Sequence, residues 1–181
     1  YRQGLQIMSG GFTLSGGEPL MQHRFAAKLM AAAKAMGIHT TMETNGYFGE
    51  KLSDKELDTI DLVMLGLKTW DPARHQALTG MDVAPTLAFA RRLAARHRPI
   101  WIRFVLVPGL TDDMDDLAKS AAFAAELGNV ERVEVLPFHQ MGRFKWERLG
   151  LTYKLANVEP PSPELTEEAC EVLRKAGLEA H

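Results

Sequence analysis

Five short runs rich in apolar and β-branched residues alternate with stretches of helical periodicity, which limits this chain to a layered α/β fold on a parallel sheet. The β-type runs are Phe12–Ser15, Ile38–Glu43, Asp61–Leu65, Ile100–Val107 and Glu131–Leu136. Between them, apolar residues recur at helical spacing from about Met21 to Met36, where Gly37 supplies a stop. Ser53 or Asp54 can cap a short helix, Pro85 opens an Ala- and Arg-rich helix to His97, and Asp112 or Asp113 opens one that ends at Gly128. After an irregular stretch, Glu159–Pro163 reads as a rigid extended connection, with Thr166 capping a last helix to Ala176. About five strands are too few for a closed eight-stranded barrel, so an open sheet or a partial barrel is expected, with its site at the strands' C-terminal ends.

At 181 residues the chain suits a single domain, 1–181, with a core of its own. A net charge of -2 offers no field for a phosphate backbone, so nucleic acid is not an expected partner. No apolar run is long enough to span a membrane, and the single cysteine, Cys170, permits neither a disulfide framework nor a cysteine-ligated metal. A reducing cytoplasm is the expected setting. The chain opens Tyr1-Arg2-Gln3-Gly4 and runs into a strand-like segment, as a piece of a longer protein would.

Unusual polar residues gather where the strands end. Ser15-Gly16-Gly17-Glu18-Pro19 follows the first strand, and its glycines let backbone groups approach a ligand beside a fixed negative charge. That combination suits an ammonium group, although a plain Gly-Gly turn has the same spelling. Glu43-Thr44-Asn45-Gly46 closes the second strand and Gly66-Leu67-Lys68 the third. Arg103 sits inside an apolar strand, where a lone charge is costly, so it should face a carboxylate or the barrel mouth. His139 follows the fifth strand in Leu136-Pro137-Phe138-His139. One polar group offered by each of five strands at the same end points to one binding site.

Taken in order, these segments resemble the glycyl-radical-enzyme activases of the pyruvate formate-lyase activating type, a branch of the radical-SAM superfamily. Ser15-Gly16-Gly17-Glu18-Pro19 is similar to the superfamily's GGEP motif, Glu43-Thr44-Asn45-Gly46 to the activase DTNG, and Asp61–Lys68 to DLVMLDLK. Trp101-Ile102-Arg103, Val107-Pro108-Gly109, Gly128-Asn129-Val130-Glu131, Leu136-Pro137-Phe138-His139, Lys145-Trp146 and Tyr153-Lys154-Leu155 follow in activase order.

The resemblance implies a partial (β/α)6 barrel, here reduced to about five parallel strands with flanking helices. It implies S-adenosylmethionine as ligand, with Gly16, Gly17 and Glu18 at its methionine end, Gly66, Leu67 and Lys68 near its carboxylate and His139 by its adenosyl part. Lys68 and Arg103 are the implied catalytic residues, and Glu43, Thr44 and Met64 fall at a monovalent-cation site. The implied reaction is reductive cleavage of S-adenosylmethionine by a 4Fe–4S cluster, giving a 5′-deoxyadenosyl radical that takes a hydrogen from a glycine of a glycyl radical enzyme such as pyruvate formate-lyase. An electron donor such as flavodoxin or ferredoxin is implied with it.

Two departures stand out. The family's CxxxCxxC loop and first strand are not in this sequence, so the cluster ligands are expected upstream and the chain alone is expected to be inactive. Gly66 stands where the family carries Asp. A partner-binding paralogue without catalysis, or an aldolase-like barrel with Lys68 as a Schiff-base lysine, are the competing expectations. Without a preceding strand, Phe12–Ser15 is expected to form an open edge prone to self-association.

Overall fold

The computed structural model of the chain describes residue 4 and residues 10–181; the strand-like segment after Gly4 lies outside the described residues. Five strands run in chain order: β1 (Gly11–Leu14), β2 (His39–Thr44), β3 (Leu62–Gly66), β4 (Ile100–Leu106) and β5 (Val130–Pro137). All are parallel, and their spatial order is the order of the sequence, β1-β2-β3-β4-β5. Right-handed crossovers between successive neighbours put every connecting helix on the same face, which is the winding of an α/β barrel. Among the described residues the sheet stays open, since β1 pairs only with β2.

Period-2 alternation sorts the side chains. On β4, Ile100, Ile102, Phe104 and Leu106 are buried, while Trp101, Arg103 and Val105 are half-buried on the opposite face. The buried face meets α1 (His23–Ala35), α2 (Asp54–Leu57), α4 (Ala84–Ala95), α5 (Met114–Leu127) and α7 (Pro163–Lys175) through a continuous core that includes Met30, Met42, Leu65, Leu93, Ile100 and Leu117, to which α3 (Pro72–Thr79) and α6 (Arg143–Arg148) contribute no residue. Each such side chain contributes about 1.5–3 kcal/mol by leaving water. Cys170 belongs to this core, on the inward face of α7 beside Ala169 and Leu173.

The local signals act as expected at most ends. Ser53 caps α2 in a reciprocal capping box with Glu56, and Asp113 caps α5 by accepting from the Asp116 amide. The last helix starts earlier than expected: Ser162, not Thr166, is its cap, and Pro163 is its first residue. Proline's fixed φ suits the first helical position, so the extended tract ends at Ser162. Helix α4 stops at Ala95 because His97 adopts a left-handed φ of 52°. Helices α3 and α6 lie in stretches whose periodicity is too weak to mark them.

The C-terminal segment finishes the sheet on the β5 side. Val133 and Val135 donate to the carbonyls of Glu179 and His181, each at 2.8 Å. No helix among the described residues is long and apolar enough to cross a membrane.

Candidate functional site

The half-buried face of the sheet carries the site. A cavity of about 300 Å³ opens at the strands' C-terminal ends, and Gly16, Gly17, Glu18, Glu43, Lys68 and Arg103 all line it. Thr44, Asn45 and Gly66 complete its polar side, with Val105 and Leu136 as its apolar floor. Polar groups offered separately by four strand ends thus converge, as the shared polarity of a parallel sheet requires.

Glu18 is held by its neighbours. Its Oε1 accepts from the Leu20 amide at 2.9 Å and the Thr44 hydroxyl at 2.7 Å, while Oε2 accepts from the Asn45 amide at 2.8 Å. One carboxylate therefore caps the 3-10 turn Pro19–Gln22 and clamps the end of β2 to the end of β1. Gly46 makes the turn after β2 possible with a φ of 75°, and a Cβ there would stand 2.8 Å from the Leu65 side chain.

Arg103 answers the question raised by a charge in an apolar strand. It forms an ion pair with Glu43 on β2 and a second, at 3.2 Å, with Glu134 on β5. Glu43 also accepts from the Ser15 hydroxyl at 2.6 Å. Register explains the geometry. Arg103 lies opposite Gly66 on one side and Glu134 on the other, so its guanidinium crosses the side-chain-free position on β3 to reach β2. Glu134 carries no motif; only period-2 alternation along Val130–Pro137 puts it on this face.

Lys68 lies two residues past the end of β3. Burial pushes its ammonium below the usual lysine range; Glu43 works against that shift and Arg103 adds to it. The carboxylate that favours its charge is the one already engaged by Arg103 and Ser15. A second cavity of about 350 Å³, flanked by Tyr47, Phe48 and His75, reaches Lys68 from the other side of the β3 exit.

Not every expected residue joins this cavity. The Leu67 side chain is 3% exposed and packs in the core, so only its backbone faces the site. Met64 lines a different hollow, toward the strands' N-terminal ends, with Thr41 and Trp101. Of the three residues implied for a cation, Glu43 and Thr44 line the strand-end cavity, the Thr44 hydroxyl donating to Glu18, while Met64 is the register partner of Glu43 on β3. Among the described residues no cluster of three His, Cys, Asp or Glu side chains is placed to hold a metal ion. His139 is exposed just past β5 and does not line this cavity; its Nδ1 accepts from the Met141 amide at 3.4 Å.

Comparison with known proteins agrees with this layout. Residues 4–121 match the Radical SAM superfamily. The chain is 42% identical over 176 residues to the pyruvate formate-lyase-activating enzyme of Staphylococcus epidermidis, covering 93% of this chain and 70% of that protein. It is 40% identical over 179 residues to the pyruvate formate-lyase 1-activating enzyme of Escherichia coli strain K12, covering 98% of this chain and 73% of that protein. A solved domain of a pyruvate-formate lyase-activating enzyme from Bacteroides vulgatus has a TM-score of 0.76 at 25% identity, over 95% of this chain and 98% of that one. A parallel sheet wound in one direction, a site at its C-terminal ends and relatives spanned over most of their length lead to one assignment: this chain belongs to the radical SAM superfamily, in the branch of the pyruvate formate-lyase-activating enzymes.

Proposed function

We propose that this chain is the S-adenosylmethionine-binding portion of an activase acting on a glycyl radical enzyme of the pyruvate formate-lyase kind. The observation that carries this is the half-buried ammonium of Lys68 in one cavity with Glu18, Gly16 and Gly17. A Cβ added at Gly16 or Gly17 would meet nothing within 4 Å, so the backbone stands open to an incoming group. These residues fit an amino-acid moiety. Glu18 with the backbone of Gly16 and Gly17 would hold its ammonium, and Lys68 its carboxylate. Arg103 would line the side toward the partner, and His139, exposed past β5, would stand by the adenosyl part.

In this family S-adenosylmethionine, bound beside a 4Fe–4S cluster, supplies on reductive cleavage a radical that takes a hydrogen from a glycine of the partner. The task of this chain's residues is to bind and orient the ligand and to neutralise its carboxylate. The cluster itself does not fit the residues present. Cys170 is the only thiol, it is 3% exposed in the core, and burial pushes its pKa up, so it is kept from the thiolate form that iron requires. No redox step is assigned to this chain, and by itself it is proposed to be inactive. A monovalent cation at Glu43 would have to compete with Arg103. A flavodoxin or ferredoxin as electron donor, and self-association through the β1 edge, complete the proposal.

Titration calorimetry with S-adenosylmethionine and the purified chain tests this. Saturable binding that Lys68→Met weakens by about tenfold, the worth of one charge-assisted hydrogen bond, is the expected result. An absence of binding by the unmodified chain would instead favour a partner-binding module without catalysis.

A further inference from the structure

The loop that leads Lys68 out of the sheet hangs on one side chain from a distant helix. Asp116 lies in the first turn of α5 and is 8% exposed. Its Oδ2 accepts from the Thr69 hydroxyl at 2.6 Å and from the Trp70 amide at 3.0 Å, and its Oδ1 accepts from the Asp71 amide at 2.8 Å. The three residues after Lys68 are therefore bonded in succession to a single carboxylate.

Nothing in the sheet could do this instead, because the β3 ladder ends at Gly66. Thr69 is fully buried, and a buried hydroxyl or amide left without an acceptor costs about 1–3 kcal/mol. Neighbouring contacts brace the same junction. The Trp70 ring packs on Phe123 of α5 with centroids 5.3 Å apart, and Arg74 of α3 pairs with Asp113 at 2.7 Å. Asp113 in turn accepts from the Asp116 amide at 3.0 Å, which places the carboxylate. Asp116 does not line the cavity; it holds the backbone on which Lys68 is mounted.

We propose that Asp116 is a positioning residue for Lys68. It acts through Thr69, Trp70 and Asp71 to hold the ammonium where a ligand carboxylate meets it. This rests on Lys68 being the contact for the carboxylate of S-adenosylmethionine. Acceptors matter here more than charge. Asp116→Asn keeps the shape but replaces one acceptor oxygen by an NH2, which then faces either the Asp71 amide or the Thr69 hydroxyl and Trp70 amide and loosens the loop.

A double-mutant cycle on the whole chain tests the idea, with S-adenosylmethionine affinity from calorimetry and Tm measured for each variant. In the unmodified background Asp116→Asn is expected to weaken binding about tenfold, a coupling usual for groups joined in one network. In the Lys68→Met background the same substitution is expected to change affinity less than about twofold, while its effect on Tm stays the same. An equal loss of affinity in both backgrounds, or no loss in either, would overturn the proposal and leave Lys68 as the carboxylate contact. Should Lys68→Met itself leave affinity unchanged, the assignment of Lys68 falls and the positioning role with it. Thr69→Val, which removes only the hydroxyl leg, serves if Asp116→Asn does not fold. It is expected to weaken binding in the unmodified background only.

Discussion

Arg103 on β4 reaches Glu43 on β2 across the intervening strand, where its own register partner on β3 is Gly66. The bridge runs diagonally, since the β3 partner of Glu43 is Met64 and that of Arg103 is Gly66, and the guanidinium passes over the position that carries no side chain. The bridge occupies the carboxylate that favours the charge of Lys68.

Gly66→Asp is expected to fold, since a Cβ there would lie 3.6 Å from the Lys68 Nζ and no nearer any other atom. The new carboxylate would stand beside Lys68 and compete with the carboxylate of S-adenosylmethionine. Affinity measured without added alkali ions should fall by about tenfold. Potassium or sodium should restore it in the variant and leave the unmodified chain unaffected. Equal cation dependence in both proteins would contradict this.

The depressed pKa of Lys68 has a pH signature of known sign. Burial is its main cause, so the folded state loses the proton before the unfolded chain does. Below the folded pKa the cost of a buried charge is fully present. As pH rises through that value toward 10.5, the ordinary lysine value, stability is regained. Lys68→Met should therefore raise Tm at pH 7, and the gap between the two proteins should narrow as pH rises. S-adenosylmethionine affinity should decline over the same window in the unmodified chain alone.

Asp61 ties β2 to β3 at the opposite end of the sheet. It accepts from the Thr40 amide at 2.9 Å and pairs with Lys34. Burial alone would raise its pKa, but the hydrogen bonds from Lys34 and Thr40 outweigh that and hold the carboxyl below its ordinary 3.8. Its stabilising contribution is present above pH 3.8 and is lost as pH falls through the lower folded value. Asp61→Asn should lower stability by about 1–3 kcal/mol at neutral pH. Denaturant titrations should find that deficit shrinking below pH 3.8.

Cys170 offers a direct check on the core. Its thiol should react with a disulfide reagent such as DTNB only in denaturant, because the side chain is 3% exposed and burial raises its pKa. Cys170→Ala should leave S-adenosylmethionine affinity unchanged. Fast labelling in native buffer would mean that α7 opens readily from the sheet.

How much was legible in the sequence depends on how far apart the interacting residues lie. The five strands, their parallel order and the strand-end polar groups follow from local periodicity and from the winding rule for parallel sheets. So do the caps at Ser53 and Asp113, because a cap bonds within its own first turn. Thr166 misled for the same local reason: two competing caps lie four residues apart, and Pro163 decides in favour of Ser162.

What the sequence by itself determined is the architecture, the end of the sheet that carries chemistry and the lack of cysteines for a cluster. Each is set by residue type and by spacing within one element. Only the tertiary structure decided that Arg103 bridges Glu43 and Glu134, that Leu67 turns into the core and that Asp116 carries the loop after Lys68. Those pairings join residues 60, 31 and 47 positions apart, through strand register and the docking of a helix. Period and propensity are properties of short windows. Which charge meets which across a sheet is set only when the sheet exists.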